Sequence, residues 1–222
     1  MTKRGSTPPA SSTARTDGQA ALSTTTIYLV RHAAHGLLER VLTGRMPQVH
    51  LADLGHAQAR RLARHFAGLS ITAIQTSPRE RAEETARPIA RAANLPCDIV
   101  DALDEIDIGA WTGRAFADLA GDPDWQAWNS RRSIARAPGG ESMAEVQARM
   151  LAHLQAIPAR HPEGRVVMVS HADVIKAVLL HVLGASLDAF ASFDIAPASI
   201  STLLLGDWGG RIVALNERVA AA

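Results

Sequence analysis

Two spacings of apolar residues alternate along most of this chain. Short apolar runs bounded by polar residues, TIYLVRH (26–32), ITAIQTS (71–77), CDIV (97–100) and RVVMVSH (165–171), have the length and β-branched content of buried strands. Between them lie stretches with apolar positions three or four apart, the spacing of one side of a helix. DLGHAQARRLARHFAG (53–68) predicts a helix with Leu54, Ala57, Leu62 and Phe66 facing inward. SPRERAEETARPIARAAN (77–94) predicts a second, with Ser77 as cap, Pro78 in the first helical position and Glu80 completing a capping box. SMAEVQARMLAHLQAI (142–157) opens on the same device, Ser142 with Glu145, and ADVIKAVLLHVLG (172–184) stops at Gly184. SISTLLLGD and GRIVALNE predict two last strands around a turn at Asp207–Gly210. Residues 101–141 show no clear period and hold Trp111, Trp125 and Trp128.

Strand–helix alternation predicts an α/β fold: three layers, a mainly parallel sheet with helices on both faces. Residues 1–25 are rich in Ser, Thr, Ala, Pro and Gly and predict a flexible tail; Lys3, Arg4 and Arg15 lack the apolar core of a secretory signal. Residues 26–222 then form one domain. The chain has 222 residues, 47% of them hydrophobic, which suffices for a sizeable core. Its net charge of +1 predicts no field for nucleic acid, and no apolar run reaches the roughly 20 residues of a membrane span. A single cysteine, Cys97, excludes an internal disulfide and a cysteine metal cage, and fits a reducing, cytoplasmic setting.

Two of the predicted strands end alike, IYLVRH at His32 and VVMVSH at His171. In a parallel α/β sheet ligands sit beyond the carboxyl ends of strands, so both histidines belong on one rim. Arg31 beside His32 offers a planar fork of donors for phosphate or carboxylate. Arg81 falls in the first turn of the helix after ITAIQTS, where free N–H groups favour anions. Arg79 is displaced around that helix and reads as a surface charge. The other histidines, at 50, 56, 65, 153, 161 and 181, lack ligand spacing, so neither metal nor cofactor is expected.

LVRHA, TSPRERAEETA, LDEIDIGAWTG, PGGES and VVMVSHADVIKAVL resemble, in order, successive blocks of the histidine phosphatase superfamily, which includes the cofactor-dependent phosphoglycerate mutases. The resemblance implies that His32 takes up the phosphoryl group, that Arg31, Arg81 and His171 form the phosphate pocket, and that Glu105 is the proton donor. A protonated His171 would add to the charge facing phosphate. Around LTGR the family's glycine is matched by Gly44, with Thr43 and Arg45 beside it as pocket residues. Ala33 stands where the family has glycine, and His35 and Leu38 stand where a polar residue and an asparagine follow. The implied reaction is phosphomonoester hydrolysis on a small phosphorylated metabolite. The alternatives are mutase-type phosphoryl transfer, for which Arg131, Arg132 and Arg136 offer a clamp, and an inactive phosphate-binding module. Residues 101–141 would form a lid, its tryptophans packing it down. The expected partners are that substrate and a second copy of the chain as a homodimer, without nucleic acid or membrane.

Overall fold

A computed structural model describes residues 23–220 of the chain. The tail expected over residues 1–25 therefore lies almost wholly outside the described residues. Its last member, Thr25, is fully buried and begins the first strand.

The strands are β1 (Thr25–Arg31), β2 (Ala73–Thr76), β3 (Asp98–Ile99), β4 (Arg165–Ser170), β5 (Ser199–Gly206) and β6 (Gly209–Arg218). They form one sheet in the order β3-β2-β4-β1-β5-β6. The first four run parallel and the last two antiparallel, as a hairpin joined at Asp207 and Trp208 must. The helices are α1 (Asp53–Ala67), α2 (Glu80–Ala93), α3 (Phe116–Leu119), α4 (Pro123–Ser130), α5 (Met143–Gln155), α6 (Ile157–Arg160) and α7 (Ala172–Val182).

The strands alternate sides, and the core splits accordingly. Val30, Ile74, Val167, Val169 and Ile200 meet Leu62 and Phe66 of α1 and Ile89 of α2. Ile27, Leu29, Val166, Met168 and Leu203 meet Met150 of α5 and Val178 of α7. The three layers expected from the sequence are those two helix pairs with the sheet between them. Residues 101–141 fold as short helical turns, with Trp111 and Trp128 buried among them.

Two local expectations fail, each for a physical reason. Leu54 is 58% exposed, and the inner face of α1 is instead Gly55, Ala59, Leu62, Ala63 and Phe66. Gly55 meets the chain just after His32 so closely that a Cβ there would lie 2.0 Å from the Ala34 carbonyl oxygen. That contact turns the neighbouring Leu54 outward. Helix α2 starts later than expected, with Arg79 at the cap position and no side-chain cap. Ser77 is drawn instead to His171, and Glu80 accepts from the Gln48 N–H, so the capping box does not form. The box at Ser142 and Glu145 does form.

Candidate active site

Strands β1 and β4 are neighbours in register, Arg31 opposite Ser170, so the residues that follow each strand end side by side. The rings of His32 and His171 lie 5.2 Å apart, both buried. Nδ1–H of His32 donates to the Ala33 carbonyl at 2.9 Å, because a carbonyl can only accept. That bond fixes the tautomer and leaves Nε2 with its lone pair. Burial, then Arg81 and Arg31, hold the His32 pKa well below its usual value.

The loop carrying His32 is tied from below. The Ala33 N–H donates to Thr85 Oγ1 of α2 at 2.9 Å, and the Ala34 N–H donates to Gln58 Oε1 of α1 at 2.9 Å. Thr85 and Gln58 carry no signal in the sequence, since a polar residue on a helix gives no sign of which loop it holds.

Arg81 is fully buried. One of its amino groups donates to the Gly44 carbonyl at 2.8 Å and stands 3.3 Å from His171 Nδ1 and 3.8 Å from Glu105 Oε2. Arg31 donates to the Ile195 carbonyl at 2.6 Å. Nε of Arg31 and both Nε and Nη1 of Arg81 are buried without a hydrogen-bond partner among the described residues. Unpaired buried donors are costly, and an oxyanion is the acceptor that suits them.

Arg81 can only donate, so His171 Nδ1 accepts and Nε2–H donates to Ser77 Oγ at 2.7 Å. The Ser77 hydroxyl in turn faces Asp104 at 3.4 Å. Burial, then Arg81 and His32, push the His171 pKa well down, the opposite direction from the protonated form expected above. Positive charge in the pocket comes from the two arginines. Ser77 follows β2, which lies beside β4, and so reaches the same rim by the rule that placed the two histidines. By that rule the sequence offers Ser77 as a site residue rather than as a cap.

Glu105 is largely buried, with Oε2 3.4 Å from His171 Nδ1. Burial, reinforced by the Asp173 carboxylate, raises its pKa to about 7 against the opposing pull of Arg81. Its backbone is pinned: the carbonyl accepts from Arg45 at 2.8 Å and from Arg149 at 3.3 Å. Both arginines also pair with Glu141, whose carboxylate accepts from the Asp107 N–H at 2.9 Å. Gly140 packs against the same segment, with no room for a Cβ beside the Asp107 carbonyl (2.2 Å). The blocks LDEIDIGAWTG and PGGES are thus two sides of one clamp on Glu105. Arg45 belongs to that clamp, paired with Asp104 at 3.2 Å, and does not line the cavity as expected. Arg79 is no surface charge either, since its Nε pairs with Asp104 at 2.8 Å.

A cavity of about 320 Å³ opens from this centre, lined by Arg31, His32, Thr43, Gly44 and Glu105 among others. His35 and Leu38 line it too, as do Phe116, Trp125 and Trp128. The indoles pack edge to face on Trp111, with ring centroids 5.3 and 5.9 Å apart. Of the three arginines offered as a clamp, Arg132 reaches the cavity. Arg131 is exposed, and Arg136 is held by Glu145 and the Gly140 carbonyl. A larger cavity, about 670 Å³, lies by the β5–β6 turn, and none of these residues lines it.

Residues 27–218 match the family described as the histidine phosphatase superfamily, branch 1. Phosphoserine phosphatase 1 of Hydrogenobacter thermophilus is 32% identical over 168 residues, 75% of this chain and 80% of that protein. Putative phosphoserine phosphatase 2 of the same organism is 27% identical over 194 residues, 86% of this chain and 95% of that protein. Among solved structures, Bacillus stearothermophilus YhfR is similar with a TM-score of 0.81 at 26% identity, covering 87% of this chain and 97% of that one. Mycobacterial glucosyl-3-phosphoglycerate phosphatase shares the fold, with a TM-score of 0.79 at 24% identity, covering 87% and 99%.

Proposed function

The chain belongs to branch 1 of the histidine phosphatase superfamily, and from that premise we propose that it hydrolyses small phosphomonoesters through a phosphohistidine on His32. Nε2 of His32 attacks phosphorus while the bond to the leaving oxygen breaks, and Glu105 gives that oxygen its proton. The ionised Glu105 then takes a proton from water. The resulting hydroxide attacks phosphorus, the P–N bond breaks, and inorganic phosphate leaves. Arg31 and Arg81, with their unpaired donors, meet the equatorial oxygens and stabilise the charge that develops there. His171, oriented by Ser77, accepts from Arg81 and so holds that guanidinium in place for those oxygens.

The observation that carries this reading is the bond from His32 Nδ1 to the Ala33 carbonyl, which leaves Nε2 as a neutral nucleophile on a residue that lines the cavity. Ala33 retains that carbonyl, so its methyl group does not stand against activity. The two guanidinium groups supply the charge neutralisation that a metal would otherwise bring, so the reading includes no metal. Residues 101–141 serve as the lid that selects the leaving group, and a homodimer in the cytoplasm is the expected setting. The curated relatives named phosphoserine phosphatases make phosphorylated amino acids one class to assay.

Brief exposure to labelled phosphomonoester, followed by denaturation in acid and in alkali, tests the reading. The expected result is an acid-labile, alkali-stable phosphoenzyme in the parent, none in His32→Ala, and undiminished parent turnover in a strong chelator. Near-parental hydrolysis by His32→Ala would sink the mechanism.

A further inference from the structure

One wall of the cavity carries charges that bear on the phosphate chemistry only through the field of Asp173 on Glu105. Arg132 lines it and is 8% exposed. Its guanidinium is engaged on two edges and a face: Nη1 donates to Asp173 Oδ2 at 3.2 Å, Nη2 donates to Asn129 Oδ1 at 3.0 Å, and the Phe190 ring lies 3.8 Å away. Asp173 sits in the first turn of α7, two residues after His171, and lines the same cavity. Glu39 lines it as well. Lys176 lies over the Phe190 ring, donates to the Phe190 carbonyl at 3.1 Å and stands near Asp194, so it adds no free charge to this wall.

A buried arginine with a free fork is a receptor for a carboxylate or a second phosphate. Arg132 is not free. Beyond the phosphate centre the cavity wall carries, among the described residues, one cation, Arg132, and two carboxylates, Asp173 and Glu39. A second anion on the substrate would have to displace Asp173 from Arg132 and then face both carboxylates.

We propose that Asp173 is a specificity-determining residue: by holding Arg132 it denies that cation to a second anionic group and selects phosphomonoesters whose leaving group carries no net negative charge. The inference rests on the phosphatase reading above and deepens it. It also gives a physical reason why the arginine that reaches the cavity does not make a mutase-type clamp. Selection here works through a built-in competitor, a device that disfavours the wrong partner rather than improving the right one.

The test compares glucose 6-phosphate, whose leaving group is uncharged, with 3-phosphoglycerate, which adds a carboxylate. Both leave as alkoxides, so any change in the acidity of Glu105 divides out of their ratio. Parent enzyme should favour glucose 6-phosphate. Asp173→Asn keeps the shape and removes the negative charge that competes for Arg132. It should raise catalytic efficiency toward the carboxylated ester, relative to glucose 6-phosphate, about tenfold, with p-nitrophenyl phosphate still hydrolysed. Asp173→Asn combined with Arg132→Gln should lose that gain. An unchanged ratio in Asp173→Asn, or a gain that persists in the double variant, overturns the inference and leaves the phosphatase reading intact. If Asp173→Asn fails to fold by circular dichroism, Asp173→Ser takes its place: the ratio should rise, and an unchanged ratio overturns the inference. A parent enzyme that hydrolyses no phosphomonoester takes down both.

Discussion

Glu105 and His32 set opposite limits on the pH range of the first step. His32 must be neutral to attack, and its pKa is held well below 6.5, so protonation of the nucleophile reduces rate only well on the acid side of that value. Glu105 must be protonated to donate, and its pKa is raised to about 7, so kcat/KM for alkyl phosphates should fall as pH rises through about 7. Glu105→Gln should lose about 10² to 10⁴-fold on alkyl phosphates and lose that alkaline limb. Phosphoenzyme formation from p-nitrophenyl phosphate, which leaves without help, should fall far less in a single-turnover measurement. Equal losses on both would reassign Glu105 to positioning. In the sequence Glu105 is one of four acids crowded among Asp101, Asp104 and Asp107, and only the family resemblance singles it out. The fold separates two of them physically. Asp104 is saturated by Arg45 and Arg79, while Glu105 keeps an oxygen near His171.

Helix α1 shows why apolar spacing alone misplaces a face. A helix turns about 100° per residue, so Leu54 and Gly55 cannot both point inward. Apolarity votes for Leu54, but the backbone of the His32 loop needs the space that only glycine leaves. Gly55→Ala should therefore do more than overpack. It should push α1 from Ala34 and disturb the carbonyl that sets the His32 tautomer. The expected cost is about 1–3 kcal/mol of stability, read as a lower melting temperature. A drop in kcat should also be measurable at temperatures where the variant is fully folded. Unchanged kcat in folded Gly55→Ala would show that the loop does not depend on α1. The cap of α2 departs from its sequence pattern for a related reason: a serine before a helix is contested between helix and site, and tertiary bonds to His171 and Asp104 win. The Ser142 cap, with no such rival, is legible.

The strand types can be read from the chain, but their order in the sheet cannot. Placing β4 between β1 and β2 is what brings His32, His171 and Ser77 to one rim, and nothing local in those strands encodes that choice. The sheet ends are blunted, β3 by its length of two residues and β6 by register shifts along its pairing with β5. The tryptophan group, two members buried and Trp125 half-buried, has an optical consequence. Trp111, Trp125 and Trp128 pack on one another, and two of them line the cavity. The chain's fourth tryptophan, Trp208, is 43% exposed at the hairpin turn and should contribute a constant, red-shifted background. A ligand entering beside Trp125 should change the emission of the packed group, so binding could be followed in His32→Ala, where no turnover clouds the signal. Titrating that variant with glucose 6-phosphate should give a saturable fluorescence change that largely disappears in His32→Ala with Trp125→Phe. A change of equal size in both proteins would place the reporter elsewhere.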